Sequence, residues 1–148
     1  MHIIVQQSDL CVDCARVEEL TKQVIALENQ TCDEVSIHLV DEPSICALHA
    51  EFFNDPSPTD TISFPLDSED EPGHRILGDV FACPLTAVKY AKQHNLDPCR
   101  ELTLYIVHGL LHLLGYDDLD PPQRKRMRAA EKRHMLNLQK RNLIASST

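Results

Sequence analysis

The chain has 148 residues, 43% hydrophobic and 25% charged, with a net charge of −9. This is the size and balance of one ordinary globular domain, expected to span 1–148. No stretch approaches the roughly 18 uninterrupted apolar residues of a membrane span, and Met1-His2-Ile3-Ile4-Val5 has neither the basic region nor the long apolar run of a signal peptide, so a cytoplasmic location is expected.

Residues 3–7 are β-branched and apolar enough for a first strand. From Ala15 to Asn29, Val17, Leu20, Val24 and Leu27 recur at helical spacing. Between them lies Cys11-Val-Asp-Cys14, which reads as half a zinc site, a redox pair, or two small half-buried residues near a helix start. No second CxxC matches it, and with six irregularly spaced cysteines and no export signal, reduced thiols are the better reading. Val35, Ile37 and Leu39 alternate with Ser36 and His38, the period of a half-buried strand that leaves His38 on the polar side as an ordinary surface residue. Asp41 or Glu42 caps a helix that has Pro43 in its first turn and carries Ile45, Leu48 and Phe52 up to the breakers at Asn54-Asp55-Pro56.

Thr61 to Phe64 reads as a short strand, 67–73 as an exposed polar loop, and Leu77 to Ala82 as another strand. Pro84 opens a helix ending near Asn95. Asp97-Pro98 opens the next, with Glu101 close to a capping-box position, and it should stop at Gly115. A basic helix over about 120–138 closes the chain. Residues 1–119 hold 21 Asp+Glu and 6 Lys+Arg, whereas 120–148 hold 2 and 8. Such a basic segment on an acidic body serves either as a nucleic-acid contact or as a solvated face complementing that body. About four strands in a mixed sheet flanked by about five helices make an α+β fold, an α/β-like sandwich, with a zincin-like metal helix.

The chemistry lies in His108-Gly109-Leu110-Leu111-His112-Leu113-Leu114-Gly115-Tyr116-Asp117-Asp118. Two histidines four apart project from one helix face, so their imidazoles can meet on one ion. A single histidine on an apolar helix is ordinarily a core or surface residue with a routine hydrogen bond. Two at ligand spacing, followed by a glycine that reverses the chain and a carboxylate three residues on, point to a metal site formed by His108, His112 and Asp118. Two imidazoles and one carboxylate suit Zn2+ and leave a fourth position for water, the catalytic arrangement. These three residues are therefore the expected catalytic set, acting through the metal-bound water. Only one of Asp117 and Asp118 can comfortably face the ion. The spacing matches H-E-x-x-H-x-x-G-x-x-H, with Gly109 where a peptidase keeps its glutamate base, which argues against peptide hydrolysis.

This run resembles the signature H-G-x-L-H-L-x-G-Y-D-H of the YbeY family of bacterial endoribonucleases. Pro58-Thr-Asp-Thr-Ile-Ser-Phe-Pro65 is similar to the family's P-T-D-V-L-S-F-P, and Leu77-Gly-Asp-Val80 to its L-G-D-I, so the likeness runs from about Asp41 to Asp118. The resemblance implies a zinc-dependent hydrolase that cleaves single-stranded RNA, matures the 3′ end of 16S rRNA on the small ribosomal subunit, and takes part in ribosome quality control. Metal-bound hydroxide would attack the phosphodiester. Two positions depart from the pattern. Asp118 replaces a histidine, adding negative charge and lowering the ion's Lewis acidity. Phe53 stands where the family has an arginine, and reads either as a base-stacking residue or as helix core, with Arg75 or the last helix as a substitute source of cations. Asp79 and Ser63 also fall in the resembling segments. Asp79 reads as a partner of a ligand histidine or as a strand-end acid satisfying backbone donors. Two other readings remain open: a zincin-like metallopeptidase, and a non-catalytic rRNA- or ribosome-binding factor whose metal is structural.

Overall fold

A computed structural model describes residues 1–67 and 73–145. Strand β1 (His2–Gln6) leads to α1 (Cys14–Leu27), β2 (Glu34–Val40), α2 (Glu42–Phe53), β3 (Thr61–Pro65) and β4 (Ile76–Ala82). Three helices follow: α3 (Pro84–His94), α4 (Pro98–Leu113) and α5 (Pro121–Lys140). The expected loop at 67–73 lies outside the described residues at 68–72. Both Cys11 and Cys14 are exposed, not half-buried as expected.

The sheet order is β1-β2-β4-β3, with β1, β2 and β4 parallel and β3 antiparallel to β4 at the edge. A parallel neighbour requires a crossover, and α1 supplies the one between β1 and β2. Alternation then sorts the side chains. Val35, Ile37 and Leu39 of β2 and Val80 and Ala82 of β4 meet Val17, Leu20 and Val24 of α1 and Leu102, Ile106 and Leu110 of α4 in the main core. Val40 and Ile62 belong to a smaller cluster with Ile45 of α2.

Helix ends follow local chemistry. Asp13, Asp41, Asp97 and Asp120 each cap a helix by accepting from backbone N–H groups within its first turn. Asn54 and Asn95, in the left-handed conformation, close α2 and α3. The cap of α4 is Asp97 alone, through the N–H of Cys99. Glu101 faces a cleft beside Tyr105.

Two expectations change here. His38 is not an ordinary surface residue: its ring stacks on Phe81 with centroids 4.1 Å apart, and its Nε2 lies 2.9 Å from Asp79 Oδ1. Cross-strand register sets His38 beside Phe81, which alternation within β2 alone cannot reveal. Asp79 therefore partners His38 and neither His108 nor His112. Phe53 is not helix core: it is 55% exposed at the last turn of α2, touching His49 with ring centroids 5.6 Å apart.

Candidate metal centre and its cleft

Helix α4 carries the site because one of its faces is committed to the sheet. Gly109 sits on that face, where a Cβ would come within 2.6 Å of Val80 Cγ1 and 3.0 Å of Thr61 Cγ2. The helix is also held at its middle by the Thr61 hydroxyl, which donates to the Tyr105 carbonyl at 3.1 Å. His108 and His112 are left on the neighbouring face, half-buried at the rim of the core. The glycine in place of a peptidase glutamate thus has a packing cause: its Cα–H faces β4, and any longer side chain would meet the sheet first.

The reversal after α4 brings the third residue in. The Tyr116 N–H donates to the Leu111 carbonyl at 2.9 Å and the Gly115 N–H to the His112 carbonyl at 3.2 Å. This is the paired closure of a Schellman end, and Gly115 has the positive φ of 107° that it requires. Tyr116 is then anchored from outside the loop. Its hydroxyl donates to Glu28 Oε1 at 2.7 Å and accepts from Arg133 Nη2 at 3.1 Å, while Glu28 Oε2 also takes Arg133 Nη2 at 2.9 Å and lies 2.7 Å from His134 Nε2. Burial alone would raise the Glu28 carboxyl; hydrogen bonds from Tyr116, Arg133 and His134 outweigh it and hold the group below its ordinary value. His134 is fully buried with no partner for Nδ1, and burial keeps its imidazole below the ordinary histidine range.

Asp118 Oδ2 lies 3.5 Å from His108 Nε2 and 3.5 Å from His112 Nε2, and the two Nε2 atoms are 3.1 Å apart. Ligands about 2.0–2.1 Å from a tetrahedral zinc are about 3.3 Å from one another, so this triangle fits such an ion in size and in donor type. Asp117 is exposed and lines different grooves, together with Gln30 and Gly115. Among the described residues, His108, His112 and Asp118 form one cluster suited to a metal ion.

Glu131 of α5 completes the surroundings, and sequence reading missed it. It is 8% exposed, and its Oε1 lies 3.6 Å from His108 Nδ1, on the side away from the other two ligand atoms. A carboxylate there is placed to orient the ring with Nε2 toward His112 and Asp118. Burial would lower the His108 imidazole; the nearby Glu131 carboxylate, with the charges of Asp118 and Asp60, overcomes that and raises it. A signal was present. Met127, Ala130, His134 and Leu138 mark the inward stripe of α5, and Glu131, the only acid within this basic helix, lies on it.

The cluster opens on a cleft of about 310 Å³. Asp60, Glu101 and Tyr105 line it together with His108 and Asp118, and α5 contributes Arg124, Arg128 and Glu131. Burial, with the charges of Glu101 and Asp60, pushes the Tyr105 hydroxyl well up, and burial likewise raises Glu101. Phe53 does not line this cleft. Arg75 lines a neighbouring groove that also reaches His112, with its guanidinium donating to Thr31 and Gln30 at 2.8 and 3.0 Å.

Comparisons with known proteins agree with these features. A family profile described as Endoribonuclease YbeY matches residues 2–139. The chain is 51% identical over 138 residues to the Endoribonuclease YbeY of Protochlamydia amoebophila, covering 93% of this chain and 92% of that one. It is 34% identical over 145 residues to the protein of the same name from Chlamydia felis, covering 95% and 92%. The solution structure of TM1509 from Thermotoga maritima superposes with a TM-score of 0.63 at 28% identity, covering 91% of this chain and 87% of that one. Breadth of match and level of identity lead to one conclusion: the chain belongs to the YbeY family.

Proposed function

We propose that the chain is a zinc-dependent endoribonuclease of ribosomal RNA processing, acting on single-stranded RNA in maturation of the 16S rRNA 3′ end at the small ribosomal subunit and in ribosome quality control. The family profile and the relatives it matches carry the name endoribonuclease. The observation that carries the reading is the triangle of His108, His112 and Asp118, with His108 and Asp118 lining an open cleft and Gly109 packed on the sheet where a peptidase needs its base. Residues 1–148 act as one unit in this reading, with α5 as a working wall of the site.

His108, His112 and Asp118 would hold the ion, and three protein ligands leave room for a substrate or solvent oxygen. When bound, zinc supplies Lewis acidity toward a phosphodiester and eases deprotonation of water. The chain's own residues do the rest. Glu131 orients the His108 ring, and the Tyr116 anchor fixes the turn that delivers Asp118. No helix among the described residues is long and apolar enough to cross a membrane.

The test is cleavage of single-stranded RNA and of an unstructured peptide by the metal-loaded protein. RNA cleavage lost on chelation and in both His108→Ala and His112→Ala, with the peptide intact, is the expected result. Chelator-sensitive peptide cleavage without RNA cleavage would reverse the assignment.

A further inference from the structure

The cations of α5 divide by surroundings. Arg133 is committed to Glu28 and Tyr116. Arg126 lines a separate groove with Glu28 and Asp117. Lys125 and Lys132 are exposed and outside the metal-site cleft. Arg124 and Arg128 alone among them line the cleft that holds His108 and Asp118.

Their pairing there is unusual. Asp60, Glu101, Asp118 and Glu131 line the same cleft, yet neither arginine forms an ion pair with any of them. Arg124 donates only to the Leu119 carbonyl, at 3.2 Å, and Arg128 has no hydrogen bond or ion pair among the described residues. The two guanidiniums, i,i+4 on one helix face and about 6 Å apart along the axis, have no carboxylate partner among the described residues and are available to an anion. A cleft with four carboxylates would repel a polyanion unless cations on its wall offset them. The residue standing at the family's arginine position, Phe53, is outside the cleft and carries no charge. Guanidinium rather than ammonium suits the task, because its planar fork grips phosphate oxygens in pairs.

We propose that Arg124 and Arg128 form the phosphate clamp of the cleft, holding the RNA backbone against α5 beside His108 and Asp118. The proposal rests on the endoribonuclease reading and extends it to substrate positioning. The clamp acts on the strand and leaves the ion's ligands untouched.

The test uses the full-length, metal-loaded protein and a short fluorescent single-stranded oligoribonucleotide, with binding read by stopped-flow anisotropy before cleavage begins. Arg124→Gln and Arg128→Gln should each raise Kd about tenfold, the loss of one charge-assisted contact at a partly solvated site. Each should also reduce the slope of log affinity against log salt by about 0.7. Lys125→Gln and Lys132→Gln make the same charge change outside the cleft and should leave both quantities near wild type. Both arginines are exposed, so thermal melts should be unchanged. If the arginine variants shift Kd and slope no more than the lysine variants while wild type still cuts RNA through His108 and His112, the clamp is overturned and the endoribonuclease reading stands. If wild type neither binds nor cuts single-stranded RNA, that reading falls and the clamp with it.

Discussion

Glu131 and Gly109 each hold one expectation that the ligand set alone does not. Removing the acceptor behind a ligand histidine typically costs 10–100-fold in metal affinity, so Glu131→Leu should weaken zinc binding by about that factor, measured by competition with a chromophoric chelator. An unchanged affinity would mean that His108 is oriented by something else. Gly109→Ala brings a methyl group within 2.6 Å of Val80 and should destabilise by about 1–3 kcal/mol, read from denaturant midpoints. Residue types and spacing were enough to find His108, His112 and Asp118 because a helix turn and one reversal are local. Glu131 reaches His108 only through packing of α5 on α4. The inward stripe of α5 gave a clue to its burial but not to its partner.

The turn from α4 to α5 is the element on which the site depends. Gly115→Ala forces a side chain into a positive φ of 107°, which should cost about 1 kcal/mol or more and misplace Asp118, lowering metal affinity more than stability alone explains. Titrating metal into Gly115→Ala under conditions where it remains folded checks this; full affinity would show that the turn tolerates the change. The helices and strands themselves were legible, since capping aspartates, prolines in first turns and asparagines at ends act within a few residues. What escaped were contacts across strands and between helices. His38 and Asp79 pair over 41 residues, and Tyr116 and His134 reach Glu28 over 88 and 106. Phe53 escaped for a different reason: an apolar residue in the last turn of a helix reads as core, but its neighbour Phe52 makes the contact with Phe64 while Phe53 stays exposed.

For the molecule as a whole, the main core closes beneath α4 without the ligands. Chelation should therefore leave the far-ultraviolet circular dichroism intact, while zinc at 100 times its Kd should add about 2.7 kcal/mol to unfolding. Unfolding on chelation would favour a structural ion instead. Acid should act through the Glu28 network. His134 is held below its ordinary 6.5, so the unfolded chain takes up that proton first, and stability declines as pH falls from about 6.5 toward the folded value. Glu28 is held below 4.5, so its contribution, full above 4.5, is lost as pH falls through its lower folded value. Denaturant midpoints measured from pH 7 to pH 3 should fall in both windows, and His134→Leu should remove the upper one.

The contact between α4 and β4 also bears on how this scaffold can be re-engineered. A glutamate placed after the first ligand histidine would spell out the peptidase motif by a single codon change. Here its Cβ would have to displace Val80 before the carboxylate could approach the ion. Directed evolution from this protein toward proteolysis should therefore pass through a smaller residue at position 80 first, since a glutamate at 109 on the present sheet carries the whole strain of the Val80 contact.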